Sequence, residues 1–196
     1  MFIIGITGTL GAGKGTIVEY LVSEQGFTHY SVRGFLREEL ERRGMPVNRD
    51  SLTAIANTLR AKHGSSYIAE QLFRKAREAK THSVIESIRT PGEIEALRKN
   101  QDFHLLAVDA DPRIRYQRIR KRNSETDQIS YQTFINNEER EMHSADPLKQ
   151  NLSACIEKAD HVIMNNGTIA DLTRETEKFL DQIGLYSNNK QKNRSK

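Results

Sequence analysis

Short apolar runs recur along the chain at Phe2–Thr7, Thr28–Ser31, Ser83–Ile88, Phe103–Asp109 and His161–Asn165. Each is rich in Ile, Val or aromatic residues, as strands covered on both faces are. Between them the apolar positions take a helical spacing at Lys14–Gln25, Arg33–Arg43, Arg49–Lys62, Ser66–Lys80, Pro91–Asn100, Pro112–Lys121, Tyr131–Glu141, Pro147–Lys158 and Ile169–Ile183. This βαβ alternation predicts a three-layer α/β fold with a five-stranded parallel sheet, helices on both faces and ligands at the carboxyl ends of the strands.

Two connections exceed the minimum. Residues 33–80 hold three helices where one would join two strands, and residues 111–158 hold about three more, so both are candidate functional insertions. There is no internal repeat and no composition break before the tail, which predicts one domain over residues 1–184 and a basic, disordered tail over 185–196.

Composition narrows the class. With 36% hydrophobic and 29% charged residues and a mean hydropathy of −0.67, the chain reads as a soluble globular protein of 196 residues. No run approaches a membrane span. The opening MFIIGIT is too short for a signal sequence and runs straight into a glycine loop. The single cysteine, Cys155, excludes an intrachain disulfide and fits a reducing, cytoplasmic setting as a buried apolar thiol. The six histidines show no metal-ligand spacing. A net charge of +4 and a pI of 9.2 invite a nucleic-acid reading, with RIRYQRIRKR at 113–122 as the basic patch. However, Lys190, Lys192, Arg194 and Lys196 of the tail face no acid, which leaves 26 bases against 26 acids in the body. The body is formally neutral, and nucleic acid is disfavoured as a partner.

The first strand feeds Gly8-Thr9-Leu10-Gly11-Ala12-Gly13-Lys14-Gly15-Thr16, and an amphipathic helix follows at once. Glycines at 8, 11 and 13 let successive N–H groups turn inward, and the helix start adds partial positive charge. Lys14 supplies a mobile cation for the β and γ phosphates of a nucleoside triphosphate. Where Ser or Thr usually follows the lysine as a metal ligand, Gly15 intervenes and the hydroxyl falls on Thr16. Direct coordination of Mg²⁺ by the loop is thereby disfavoured.

This loop resembles that of nucleoside monophosphate kinases of the adenylate kinase type, with the P-loop kinase fold, and the resemblance implies ATP as donor, Mg²⁺ held through phosphates and water, and a small-molecule acceptor. It implies roles for further positions. After the second strand, Tyr30-Ser31-Val32-Arg33-Gly34-Phe35-Leu36-Arg37 is similar to the stretch in which a serine starts a helix and an arginine grips the acceptor phosphate; Ser31, Arg37 and secondarily Arg33 match it. In Val84-Ile85-Glu86-Ser87-Ile88-Arg89, Glu86 takes the acidic position that orders the metal's water together with Thr16, and Arg89 takes the acceptor-phosphate position. On a helix Arg115, Arg118 and Arg122 share one face, where these kinases carry lid arginines over the transferring group; residues 33–80 then correspond to the acceptor-binding insertion and 111–158 to the lid and following helices. Ala159-Asp160-His161-Val162-Ile163-Met164-Asn165-Asn166-Gly167-Thr168 looks like the last strand and turn of the dephospho-CoA kinase and guanylate kinase branches, where backbone at Asn165, Asn166 and Gly167 borders the adenine. Together with VIESIR and Phe134–Glu141, it most resembles a little-characterised group of dephospho-CoA-kinase-like P-loop proteins.

True dephospho-CoA kinases carry Asp-x-Asp just after the second strand, because a ribose hydroxyl needs a carboxylate to take its proton. No acid lies between Glu24 and Glu38 here. Two arginines, Arg37 and Arg89, suit a nucleoside or deoxynucleoside monophosphate better. Two alternatives stay open, transfer to a ribose hydroxyl with Glu86 serving, and a nucleotide-binding regulatory module without an acceptor. Monomer and homodimer are not distinguished.

Overall fold

The computed structural model describes residues 1–123 and 128–185. Five strands, β1 (Ile3–Gly8), β2 (Thr28–Ser31), β3 (Ser83–Glu86), β4 (Phe103–Asp109) and β5 (His161–Met164), form one parallel sheet in the order β2-β3-β1-β4-β5. Nine helices join and follow them among the described residues: α1 (Lys14–Ser23), α2 (Val32–Arg42), α3 (Arg49–His63), α4 (Tyr67–Ala79), α5 (Pro91–Leu97), α6 (Pro112–Arg122), α7 (Tyr131–Met142), α8 (Leu152–Glu157) and α9 (Ile169–Gln182). β1 is buried along its whole length because its run of Ile is covered on both faces. The chain turns from one side of β1 to the other between β3 and β4, so the crevice above β1 lies where ligands bind in open parallel sheets.

Two apolar layers flank the sheet. On one face, Leu36 and Leu40 of α2, Ile55 and Leu59 of α3 and Ile68, Leu72 and Phe73 of α4 join Ile3, Ile85 and Leu105 of the strands. The three-helix connection is thus fused into the main core. On the other face, Ile17 and Leu21 of α1 and Leu172, Phe179 and Leu180 of α9 cover Ile4, Ile6 and Leu106.

Several boundaries differ from those predicted. β3 stops at Glu86 because Ser87 takes a left-handed φ of 73°, and its N–H and that of Ile88 both go to the Ile6 carbonyl at 3.0 Å. The helix expected from Pro147 begins only at Leu152, where the Asn151 side chain accepts from the Ala154 N–H and caps it. Leu185, assigned above to the tail, is buried against the α1–α9 layer; the remainder of that tail, 186–196, lies outside the described residues, as do 124–127 of the expected lid.

Candidate active site

The loop between β1 and α1 is shaped by close approaches. Gly8 has a φ of 132°, and a Cβ there would stand 1.9 Å from the Val108 carbonyl oxygen of β4. Gly13, at φ 113°, precedes α1 as its N-cap, and a Cβ on it would meet Asn165 Nδ2 at 2.5 Å. Asn165, itself buried, donates from Nδ2 to the Ala12 carbonyl at 2.7 Å. The turn after β5 thereby braces the loop from behind. No side chain caps α1 and no acidic residue occupies its first turn, so its leading N–H groups are left for an anion.

Over these N–H groups opens a cleft of about 1000 Å³. Leu10, Gly11, Gly13, Lys14, Gly15 and Thr16 form its floor. Ser31 and Arg33 enter from the β2–α2 junction, Glu86 and Arg89 from the end of β3, Arg118 and Arg122 from α6, and Asn165 and Gly167 from the turn after β5. Five distant segments of the chain meet in one cleft because all of them leave the carboxyl ends of adjacent strands.

Three loop positions, Gly8, Thr9 and Ala12, are not part of the lining; Thr9 is buried and donates from Oγ1 to Asp109 Oδ1 at 2.5 Å. Asn166 is not part of it either, since its side-chain oxygen accepts from the Asp111 N–H at 2.8 Å. Ser31 caps α2, accepting from the Gly34 N–H at 3.2 Å. Arg37 is exposed and lines neither cavity, whereas Arg33, one turn nearer the strand ends, lines both this cleft and the one beside it. Only the first turn of α2 reaches the crevice.

The Lys14 ammonium donates to the carbonyls of Gly8 at 2.8 Å and Thr9 at 2.7 Å. Burial, reinforced by the nearby Arg89 charge and opposed by Glu86 and Glu141, pulls its pKa from 10.5 to about 8. Glu86 moves the other way. His29 Nε2 stands 3.2 Å from its Oε2, and that contact holds the carboxyl below the usual carboxylate range against the cost of burial. Thr16 and the ionised Glu86 are the oxygen donors that fit a Mg²⁺ ion bound mainly through phosphates and water. Among the described residues no cluster of three or more His, Cys, Asp or Glu is arranged to hold a metal by itself.

The arginines divide. Arg118 clamps the turn after β5, donating to the carbonyls of Asn165 at 2.9 Å and Gly167 at 3.3 Å. Arg122 lines the cleft beside it. Arg115, expected on the same face, is instead buried at 2% exposure. Its guanidinium holds both oxygens of Glu138 on α7, its Nε donates to Ala110 O at 2.7 Å, and its charge lies over the Phe134 ring at 5.4 Å. The helical wheel gave the right periodicity; the inward neighbour it could not supply is Glu138. Arg89 donates to Glu141 at 3.0 Å and to Gln150 Oε1 at 2.7 Å.

A second cavity of about 270 Å³ adjoins the cleft and shares Leu10, Arg33, Ser87 and Arg89 with it. Val32, Leu36, Leu52 and Ala56 give it an apolar wall, and Arg60 of α3 lines it as well. Arg60 is 5% exposed, and its Nη2 is 3.6 Å from Oε1 of the wholly buried Glu93. The other oxygen of Glu93 accepts the N–H groups of Arg89 at 2.7 Å and Thr90 at 3.0 Å, closing a capping box on α5. Burial pushes the Glu93 carboxyl up, while Arg60 and these N–H groups pull it back. Sequence reasoning missed His29, Arg60, Glu93, Glu138, Glu141 and Gln150. Thr90-x-x-Glu93 was legible as a cap, and Glu138 and Glu141 as one face of α7; nothing local marked His29 or Arg60.

Cys155 is buried and burial raises its thiol to about 12, which leaves it un-ionised. Among the described residues no helix is long and apolar enough to cross a membrane.

The geometry agrees with what the chain is similar to. Residues 4–145 match the family model of the AAA domain, AAA_18. A UPF0200 protein of Thermococcus sibiricus is 30% identical over 189 residues, covering 93% of this chain and 96% of that protein. A UPF0200 protein of Methanococcus vannielii is 31% identical over 187 residues, covering 93% of each. Among solved structures, a shikimate kinase from Bacteroides thetaiotaomicron superposes with a TM-score of 0.58 at 12% identity, covering 93% of this chain and 98% of that one. A dephospho-CoA kinase from Campylobacter jejuni gives 0.52 at 16% identity, covering 92% and 96%. Such low identities speak to fold alone, an α/β P-loop kinase fold. With the AAA model spanning most of its length and relatives at 30% identity matched nearly end to end, the chain belongs to the AAA domain family and to the UPF0200 proteins.

Proposed function

We propose that the protein transfers the γ-phosphoryl group of ATP to a nucleoside or deoxynucleoside monophosphate. The observation that carries this reading is the pair of joined cavities: a large cleft over a phosphate loop, and a smaller, partly apolar one, with Arg33 and Arg89 lining both. A donor and an acceptor held in these two spaces would meet at the arginines.

In this reading the loop N–H groups and Lys14 bind the donor phosphates, and Lys14 leaves the Gly8 and Thr9 carbonyls for them. Arg118 and Arg122 offset the charge of the transferring group. Arg33 and Arg89 orient the acceptor phosphate, whose ionised oxygen needs positioning rather than a general base; Ser31 and Arg37 from the same stretch contribute the helix start and a surface charge. Glu86 and Thr16 would hold Mg²⁺ through water, and the ion supplies charge neutralisation between the phosphates when bound. Backbone at Asn165, Asn166 and Gly167 borders the donor's adenine, with residues 33–80 as the acceptor-binding insertion and 111–158 as the lid and following helices.

Coupled ADP release, with the product identified by mass, tests this over a panel of nucleoside monophosphates and dephospho-CoA. Acceptor-dependent turnover with a monophosphate is expected. ADP release that no acceptor accelerates would identify a nucleotide-binding module instead, and turnover with dephospho-CoA alone would identify transfer to a ribose hydroxyl.

A further inference from the structure

Arg60 is a buried cation whose hydrogen bonding is unmet among the described residues. It is 5% exposed, its Nε has no hydrogen-bond partner, and its guanidinium makes no side-chain hydrogen bond among the described residues. Its countercharge, Oε1 of Glu93, forms an ion pair with it at 3.6 Å, too far for a hydrogen bond, and that oxygen also lacks a hydrogen-bond partner. A buried guanidinium with open N–H groups carries a desolvation cost that a hydrogen-bond acceptor would relieve. Arg60 lines the smaller cavity, and Glu93 does not.

Three features define what would relieve it. Arg60 is absent from the large cleft's lining, whereas Arg33 and Arg89 belong to both cavities. An acceptor with its phosphate at those two would extend its other end toward Arg60, between Leu36, Leu52 and Ala56. Glu93 behind Arg60 offsets part of its charge, which weakens the pull that end of the cavity exerts on a second phosphate. A flat, neutral group therefore fits that end. Finally, a guanidinium presents donors only, in a planar fork. It matches a ring edge with two adjacent acceptors, such as O6 and N7 of guanine or hypoxanthine, and opposes adenine, which presents an amino group at that edge.

We infer that Arg60, backed by Glu93, selects the acceptor's base and favours a 6-oxopurine. The inference rests on the monophosphate reading above and adds a specificity-determining residue to it. One good bidentate contact of this kind discriminates between bases by roughly 5- to 150-fold.

The test measures ADP release with GMP, IMP, AMP, CMP and UMP at fixed ATP and Mg²⁺, for the wild type, Arg60→Lys and Arg60→Gln. The highest kcat/KM is expected with GMP and IMP. Arg60→Lys keeps a cation beside Glu93 while losing the fork, so it should fold, as a thermal melt will verify. Its KM for GMP should rise roughly 5- to 150-fold while that for AMP changes less than about threefold. A wild-type preference for AMP, CMP or UMP, or an equal loss with every acceptor in both variants, would overturn the assignment. If no monophosphate accelerates ADP release, the transfer reading fails on its own, and equilibrium dialysis of the same panel decides the base question. Binding of GMP over AMP that is lost in Arg60→Lys supports the inference; equal binding, or none, ends it.

Discussion

The Arg89 guanidinium donates to the Glu141 carboxylate at 3.0 Å, a contact between the end of β3 and α7 across 52 residues of chain. Gln150 takes a second hydrogen bond from the same nitrogen at 2.7 Å, and the Arg89 carbonyl accepts the Asn151 N–H at 2.9 Å. The arginine that faces both cavities is thus also the tie that holds α7 and the segment before α8 against the sheet. A bound acceptor phosphate would compete with Glu141 for it, which would couple acceptor binding to the position of α7.

That dual role separates Arg89 from Lys14. Arg89→Ala should raise the acceptor KM on the order of a hundredfold, the cost of losing a charge-assisted contact, and leave the ATP KM within about threefold. Lys14→Ala should instead abolish donor binding and turnover together. Steady-state kinetics with both substrates varied distinguishes the two. Retained turnover in Arg89→Ala at an unchanged acceptor KM would remove Arg89 from the acceptor site.

The depressed pKa of Lys14 gives a pH dependence with a definite sign. Burial in the folded protein brings the ammonium down to about 8, against 10.5 in the unfolded chain. Between those values the unfolded state holds more protons, so Lys14 makes the folded protein gain stability as pH rises from 8 to 10.5, by about 3 kcal/mol in all. The Lys14→Met variant should lack that gain in urea melts across the range. Nucleotide phosphates reverse the preference and favour the charged form. Binding of ATP above pH 8 should therefore take up a proton and weaken by up to about tenfold per pH unit. Calorimetry in two buffers of different ionisation enthalpy measures the uptake directly, and a buffer-independent heat at pH 8.5 would contradict it.

Much of this is legible in the sequence itself. The five apolar runs became the five strands, and the glycine loop carried its own context in the strand before it and the helix after it. Local signals of that kind are complete within some fifteen residues. The arginines show where such signals end. Arg115, Arg118 and Arg122 have the same helical register, but Arg115 turns inward because Glu138, Ala110 and Phe134 meet it there. Arg33 and Arg37 lie on one side of α2, and only the depth of the crevice makes Arg33 the residue that lines it. Arg60 left no trace at all, since an arginine near the end of an amphipathic helix is an ordinary thing to find. Long-range partners determine these roles, and a single sequence does not display them.

The divided arginines predict divided phenotypes. Glu138→Ala removes the carboxylate that takes both terminal nitrogens of the buried Arg115 and leaves Asp109 Oδ1, 3.4 Å from Nε, as its remaining countercharge, so it should cost about 3 kcal/mol of stability. Arg118→Ala lies partly open to solvent and holds only carbonyls of a turn. It should cost about 1 kcal/mol or less while lowering turnover at least tenfold. Denaturant melts alongside kinetics give both quantities. Equal stability losses in the two variants would mean that Arg118 too is part of the scaffold.

The brace behind the phosphate loop can be removed without touching any group that meets a phosphate. Asn165→Ala deletes the Nδ2 donor and leaves the Ala12 carbonyl buried without it. Such an orphaned acceptor costs about 1–3 kcal/mol. It also opens a gap beside Gly13, whose φ of 113° is held by its surroundings and not by a side chain of its own. The loop N–H groups would then be less well aimed, so ATP affinity should fall more than the loss of one remote hydrogen bond would suggest, about tenfold or more. Asn165→Asp places a carboxylate against the same carbonyl and should be worse than alanine on both measures. Fluorescent-nucleotide titration and thermal melts of the two variants order them. An alanine variant with wild-type affinity would show that the loop holds its shape unaided, and that the turn after β5 touches the nucleotide only through its backbone.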